Sequence, residues 1–218
     1  MEEAVKPSVA RPRLRGVSHC VAFFAALAGW AVLVHAASGA RALVAASVYG
    51  ASLAVMFGVS GLYHVWTWSP ARRRVLRRLD HAAIFVLIAG TYTPLCLALE
   101  PGRGLALLAF VVTGAVFGVA KSILFPDAPR YVAVPIYLAL GWAVFPLAST
   151  LRAAVGAEGL ALVAAGGVAY SVGALVYGLR RPDPAPAVFG YHEVFHLLVI
   201  LAAACHFAVL LPVVHALR

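Results

Sequence analysis

The chain has 218 residues, 63% of them hydrophobic and 11% charged, more apolar surface than a soluble domain of this size can bury, so it reads as an integral membrane protein. Its net charge of +9 sits on arginines placed between apolar runs, which marks topogenic charge, and no nucleic-acid partner is expected. The three cysteines, Cys20, Cys96 and Cys205, fall within apolar stretches and imply neither a disulfide framework nor a cysteine-based zinc cluster.

In chain order, residues 1–16 are polar and read as a cytoplasmic tail. Apolar runs bounded by charge, Pro and Gly then predict an all-α membrane domain over 17–218. Its seven transmembrane helices cover roughly 17–37, 42–66, 80–99, 104–125, 131–151, 159–179 and 191–214. Each is long enough to cross about 30 Å of hydrocarbon at about 1.5 Å per residue. The first run has no defensible cleavage site and reads as a retained helix, not a signal peptide. The connections are short, and no internal repeat is evident.

Basic residues set the orientation. Lys6, Arg11, Arg13 and Arg15 in the tail, Arg72, Arg73, Arg74, Arg77 and Arg78 between the second and third spans, Lys121, Arg130, Arg180 and Arg181 all fall on one side. Only Arg41, Arg103, Arg152 and Arg218 fall on the other. The positive-inside rule therefore puts the N-terminus in the cytoplasm and, with an odd number of spans, the C-terminus outside. The Arg72–Arg78 connection reads as a loop that meets anionic headgroups, with membrane lipids as the expected partners. Trp66 and Trp68 beside it read as interfacial anchors.

Ionisable groups within such spans are costly and mark a site. His64 lies near the cytoplasmic end of the second span, Asp80 opens the third, and His192 and His196 lie in the first turns of the seventh, so all four fall at one depth. His192 and His196 share a helix face, as do Ser60 and His64. Three imidazoles from two helices, with a fourth position left to water, are the ligand set of a catalytic zinc. Asp80 is then placed to hold the metal-bound water or orient a ligand, and Ser60 to hydrogen-bond the water or a substrate oxygen. Against this stands interhelical hydrogen bonding, which accounts for any one such histidine taken singly.

Other polar groups have plainer readings. Glu193 completes a literal His-Glu-x-x-His, the protease signature, but as a carboxylate at a helix N-terminus it favours the macrodipole. His206, about 15 Å deeper than His196, is out of reach of the same metal and reads as a buried hydrogen-bonding residue. His19, His35 and His215 sit at span ends, where polar residues are cheap. His81 reads as lining the cytoplasmic mouth. Thr91, Tyr92 and Thr93 suit either a polar cavity wall or helix packing.

Ser60-Gly61-Leu62-Tyr63-His64, Leu79-Asp80-His81 running to Ala89-Gly90-Thr91-Tyr92-Thr93-Pro94, Gly190-Tyr191-His192-Glu193-Val194-Phe195-His196 and Cys205-His206-Phe207 together resemble the hemolysin III family. That family lies within the progestin and adipoQ receptor group, which includes the adiponectin receptors and is related to alkaline ceramidases. The resemblance implies seven helices with zinc near the cytoplasmic side, held by His64, His192 and His196. Asp80 would hold the zinc-bound water, and Ser60 would support it. His81, where eukaryotic relatives often carry an aromatic residue, implies the bacterial branch and an inner (plasma) membrane location.

The function so implied is a zinc-dependent hydrolase of a ceramide-like lipid amide. The alternatives are a non-enzymatic zinc-stabilised sensor or lipid-homeostasis protein, a pore-forming hemolysin as the family name suggests, and an intramembrane metalloprotease.

Overall fold

The computed structural model describes residues 11–127 and 130–217. Lys6 and Arg218 lie outside them, as does the side chain of Arg130. Among the described residues seven α-helices follow one another: α1 (Val17–Ala36), α2 (Ala40–Val65), α3 (Pro70–Ala98), α4 (Pro101–Leu124), α5 (Arg130–Gly141), α6 (Ala148–Leu179) and α7 (Tyr191–Ala216). There is no strand among the described residues, only an isolated bridge between Ala185 and Phe189.

By length and composition, six helical stretches can cross a membrane: Val17–Ala36, Ala40–Val65, Pro70–Ala98, Pro101–Leu124, Val134–Leu179 and Tyr191–Ala216. Large apolar side chains point outward from them, Phe24, Leu105, Phe110 and Phe117 each being more than 60% exposed. This is the inverted surface of a protein solvated by lipid. The buried core runs through α1, α2, α3 and α7 and takes in parts of α4 and α6, with Leu33, Tyr49, Leu151 and Leu210 among its most enclosed side chains.

Two boundaries differ from the sequence reading, for local reasons. The five arginines from Arg72 to Arg78 are not a loop, because α3 starts at Pro70. Ser69 Oγ accepts from the Arg72 N–H, and Pro70 takes the first helical position, where no N–H is needed. Asp80 therefore lies ten residues inside α3 and does not open it.

The expected fifth and sixth spans are also redrawn. Helix α5 ends at Gly141, and a turn leads to a 3-10 segment at Phe145–Leu147 that carries Pro146. Tyr92 fills the break: its hydroxyl donates to Gly141 O (2.9 Å) and accepts from the Val144 N–H (3.0 Å). Helix α6 begins early, at Ala148, and is interrupted at Gly156, whose φ of 75° and ψ of 175° belong to a region open to glycine almost alone.

At the other helix starts, Glu100 caps α4 by accepting from the Gly102 and Arg103 N–H groups (3.0 and 3.1 Å). These bonds hold its carboxyl below the usual carboxylate range.

A histidine cluster at one end of the bundle

The start of α1, the end of α2, the first third of α3 and the start of α7 meet at one end of the bundle. Gly16 is pressed on His64, where an added Cβ would come within 2.5 Å of the His64 Cβ, and its φ of 82° also requires glycine. Residues 11–16 form an ordered strap here. The Arg13 and Leu14 N–H groups donate to Ala187 O and Val188 O (both 3.0 Å), and Arg11 donates to Trp66 O (3.1 Å).

Under the strap, the candidate ligand atoms of His64, His192 and His196 lie within 4.8 Å of one another, and all three side chains are buried. His64 Nε2 and His192 Nε2 are 3.2 Å apart. Nitrogens about 2.0–2.1 Å from a tetrahedral zinc would be separated by about 3.3 Å, so this pair already has the spacing of two ligands. His196, 1% exposed, leaves its Nδ1 buried with no hydrogen-bond partner among the described residues. The His64–His192 approach is also within hydrogen-bond distance, but three converging imidazoles are a donor set that fits a metal of zinc's preferences.

The surrounding groups are equally ordered. Asp80 Oδ2 is 3.6 Å from His64 Nε2. Arg77, one helical turn before Asp80, is held elsewhere, by Asp127 Oδ1 (3.0 Å) and Pro126 O (2.7 Å). Ser60 Oγ is 2.9 Å from His19 Nδ1. The His19 ring stacks on His196 at 3.7 Å between centroids with 6° between planes. His19, read from sequence as a cheap residue at a span end, is thus corrected: it is 2% exposed and packed into the cluster.

Glu193 faces away from the role its motif suggests. Its Oε2 accepts from the Gly190 N–H (2.8 Å), and its Oε1 pairs with Arg15 Nε at 2.7 Å. One oxygen serves the start of α7 and the other the strap, so the group that a protease reading needs as general base is already engaged. Farther along α7, His206 Nε2 donates to Val163 O at 3.2 Å, well apart from the cluster. Thr91 and Thr93 turn their hydroxyls back on Leu87 O and Ala89 O, as packed helix residues do.

The cluster forms part of the wall of a cavity of about 820 Å³ between α2, α3, α5, α6 and α7, mostly apolar farther in, with Leu87, Leu151 and Val199 on its wall. Tyr63, Asp80 and His81 line it beside the histidines.

This convergence of histidines on a lipid-solvated bundle coincides with a sequence match. A family model described as Haemolysin-III related matches residues 8–207. The chain belongs to the haemolysin-III-related family. It is 32% identical to Hemolysin-3 of Bacillus cereus over 210 residues, 95% of this chain and 91% of that protein. It is 31% identical over 166 residues to the Hemolysin-3 homolog of Bacillus subtilis (strain 168), covering 76% and 75%. Similarity extends to human Monocyte to macrophage differentiation factor, 25% identical over 207 residues, 93% of this chain and 84% of that one. Membership of the haemolysin-III-related family and the outward apolar surface agree on an integral membrane protein.

Proposed function

We propose that this protein is a zinc-bearing hydrolase that cleaves the amide of a ceramide-like lipid. The carrying observation is three buried imidazoles beside a carboxylate on the wall of an apolar cavity. His64, His192 and His196 would hold the ion. A bound zinc supplies Lewis acidity, polarising a carbonyl and making water easier to deprotonate.

The chain's own groups do the rest. Asp80 stands at the cluster as the proton acceptor for the attacking water. The water oxygen bonds to the amide carbon, the C–N bond breaks, and the proton taken by Asp80 passes to the departing amine. Ser60 and His19 fix the ring of His196 and the polar edge of the site. The apolar cavity holds the acyl chain and excludes competing water.

The same reading includes seven crossings, with the N-terminus cytoplasmic and the C-terminus outside by the distribution of basic residues, in a bacterial inner membrane. The stretch Val134–Leu179 has 46 residues, about 69 Å if straight at about 1.5 Å per residue. That is about twice the hydrocarbon thickness, and the breaks at 142–147 and Gly156 let it turn back. Arg103 near the start of α4 donates to Thr150 near the start of α6 (3.1 Å), and Tyr177 near the end of α6 packs on His192, so α6 spans from one end of the bundle to the other. The arginine-rich first turns of α3 would then meet anionic headgroups.

The test is an assay of purified protein for fatty-acid release from a panel of ceramides, with Asp80→Asn beside it. Release by the wild type, abolished in Asp80→Asn with metal retained, is the expected result. Metal binding without release in either protein would leave the ion a staple between α2 and α7 and overturn the hydrolase.

A further inference from the structure

The cavity that carries the histidine cluster has a cationic rim. Arg15, Arg73, Arg77 and Lys121 line it at the histidine end and Arg152 toward the other end, whereas Asp80 is the one carboxylate among its lining residues. Arg15 is paired with Glu193, and Arg77 with Asp127 and Pro126. Arg73 and Lys121 have no carboxylate within ion-pair distance among the described residues. Arg73 is nonetheless positioned: its guanidinium carbon lies 5.3 Å from the centre of the Tyr63 ring, and that ring is 4.5 Å from the ring of His64. An unneutralised cation thus sits one aromatic ring away from a candidate metal ligand.

We propose that Arg73 and Lys121 form a headgroup subsite, so that the preferred substrate is an amphiphile carrying a phosphate or carboxylate close to its amide. This rests on the hydrolase reading of the histidine cluster. The acyl chain enters the apolar cavity while the anionic head stays at the rim, where two cations on adjacent helices and a low-dielectric wall concentrate the attraction. General attraction between a basic surface and lipid is a different effect. It would act through all the exposed arginines of α3, including Arg72 and Arg74, which do not line the cavity.

The experiment measures binding of ceramide 1-phosphate and of ceramide to the full chain with Asp80→Asn, so that no turnover intervenes, in nanodiscs of neutral lipid. Ceramide 1-phosphate should bind about tenfold more tightly, a difference of about 1.4 kcal/mol shared between the two cations. Arg73→Gln/Lys121→Gln should reduce the preference to about threefold or less, while Arg73→Lys/Lys121→Arg, which keeps both charges, should retain most of it. Arg72→Gln/Arg74→Gln should leave it unchanged. Inorganic phosphate at equal concentration should not displace the lipid, because it lacks the cavity contacts.

Equal affinity for the two lipids would overturn the proposal. So would equal losses in the Arg73/Lys121 and Arg72/Arg74 pairs, or displacement by inorganic phosphate. The two readings fail separately. Preference without fatty-acid release in the wild type removes the hydrolase and keeps the rim, whereas release from both lipids without preference does the reverse.

Discussion

Arg15 and Glu193 show how much of the site is held by residues that touch no ligand. Glu193 is 2% exposed, and Arg15 is the cation that neutralises it while the strap lies across His64. Arg15→Ala should lower the stability of the purified protein by about 2 kcal/mol, less than the 3–5 kcal/mol of a fully enclosed pair because Arg15 is partly wet. Adding Glu193→Gln should recover part of that loss, since the uncompensated charge is gone. Thermal unfolding in detergent reads both, and an Arg15→Ala protein as stable as the wild type would contradict this account of the strap. At this scale His64, Asp80, His192 and His196 were legible because costly groups in apolar runs stand out and helical spacing sets their faces. His19 was not, since a histidine in the first turn of a span looks harmless until the inward face of α1 is known. Arg15 was hidden for a similar reason: it counted as one more topogenic charge, and its partner lies 178 positions away.

The helices themselves follow start and stop signals that the sequence carries but that hydropathy overrides. Ser69-Pro70 is a helix start, yet the density of arginines after it suggests a loop, and so the first turns of α3 were assigned outside the helix. The long apolar run from α5 into α6 divides at Gly141, Pro146 and Gly156, and tertiary contacts such as the Tyr92 hydroxyl decide where. Gly156 carries a sharp expectation. Nothing lies within 4 Å of a Cβ added there, so the cost of Gly156→Ala is backbone strain alone. The substitution should destabilise the protein by about 1–3 kcal/mol. An unchanged melting temperature would mean that α6 runs straight through this position and that the turn-back lies elsewhere.

For the whole molecule, the proposed orientation rests on basic residues gathered at the end where the histidines meet. Reporters fused to each terminus should show the N-terminus in the cytoplasm and the C-terminus outside, and a cytoplasmic C-terminus would contradict seven crossings. The meeting of α2, α3 and α7 at one end was legible from depth alone, whereas the part α1 takes in it was not. The cavity and its cationic rim were not, because hydropathy orders residues along the membrane normal and says nothing of which faces enclose a space. Everything proposed for the chemistry depends on the three imidazoles sharing an ion. Metal analysis of the purified protein with X-ray absorption at the zinc edge tests this most directly. One zinc per chain is predicted, with nitrogen and oxygen ligands at about 2.0–2.1 Å, lost in His196→Ala and kept in His206→Ala. Protein free of metal after addition of zinc, or a zinc that His196→Ala retains in full, would contradict it.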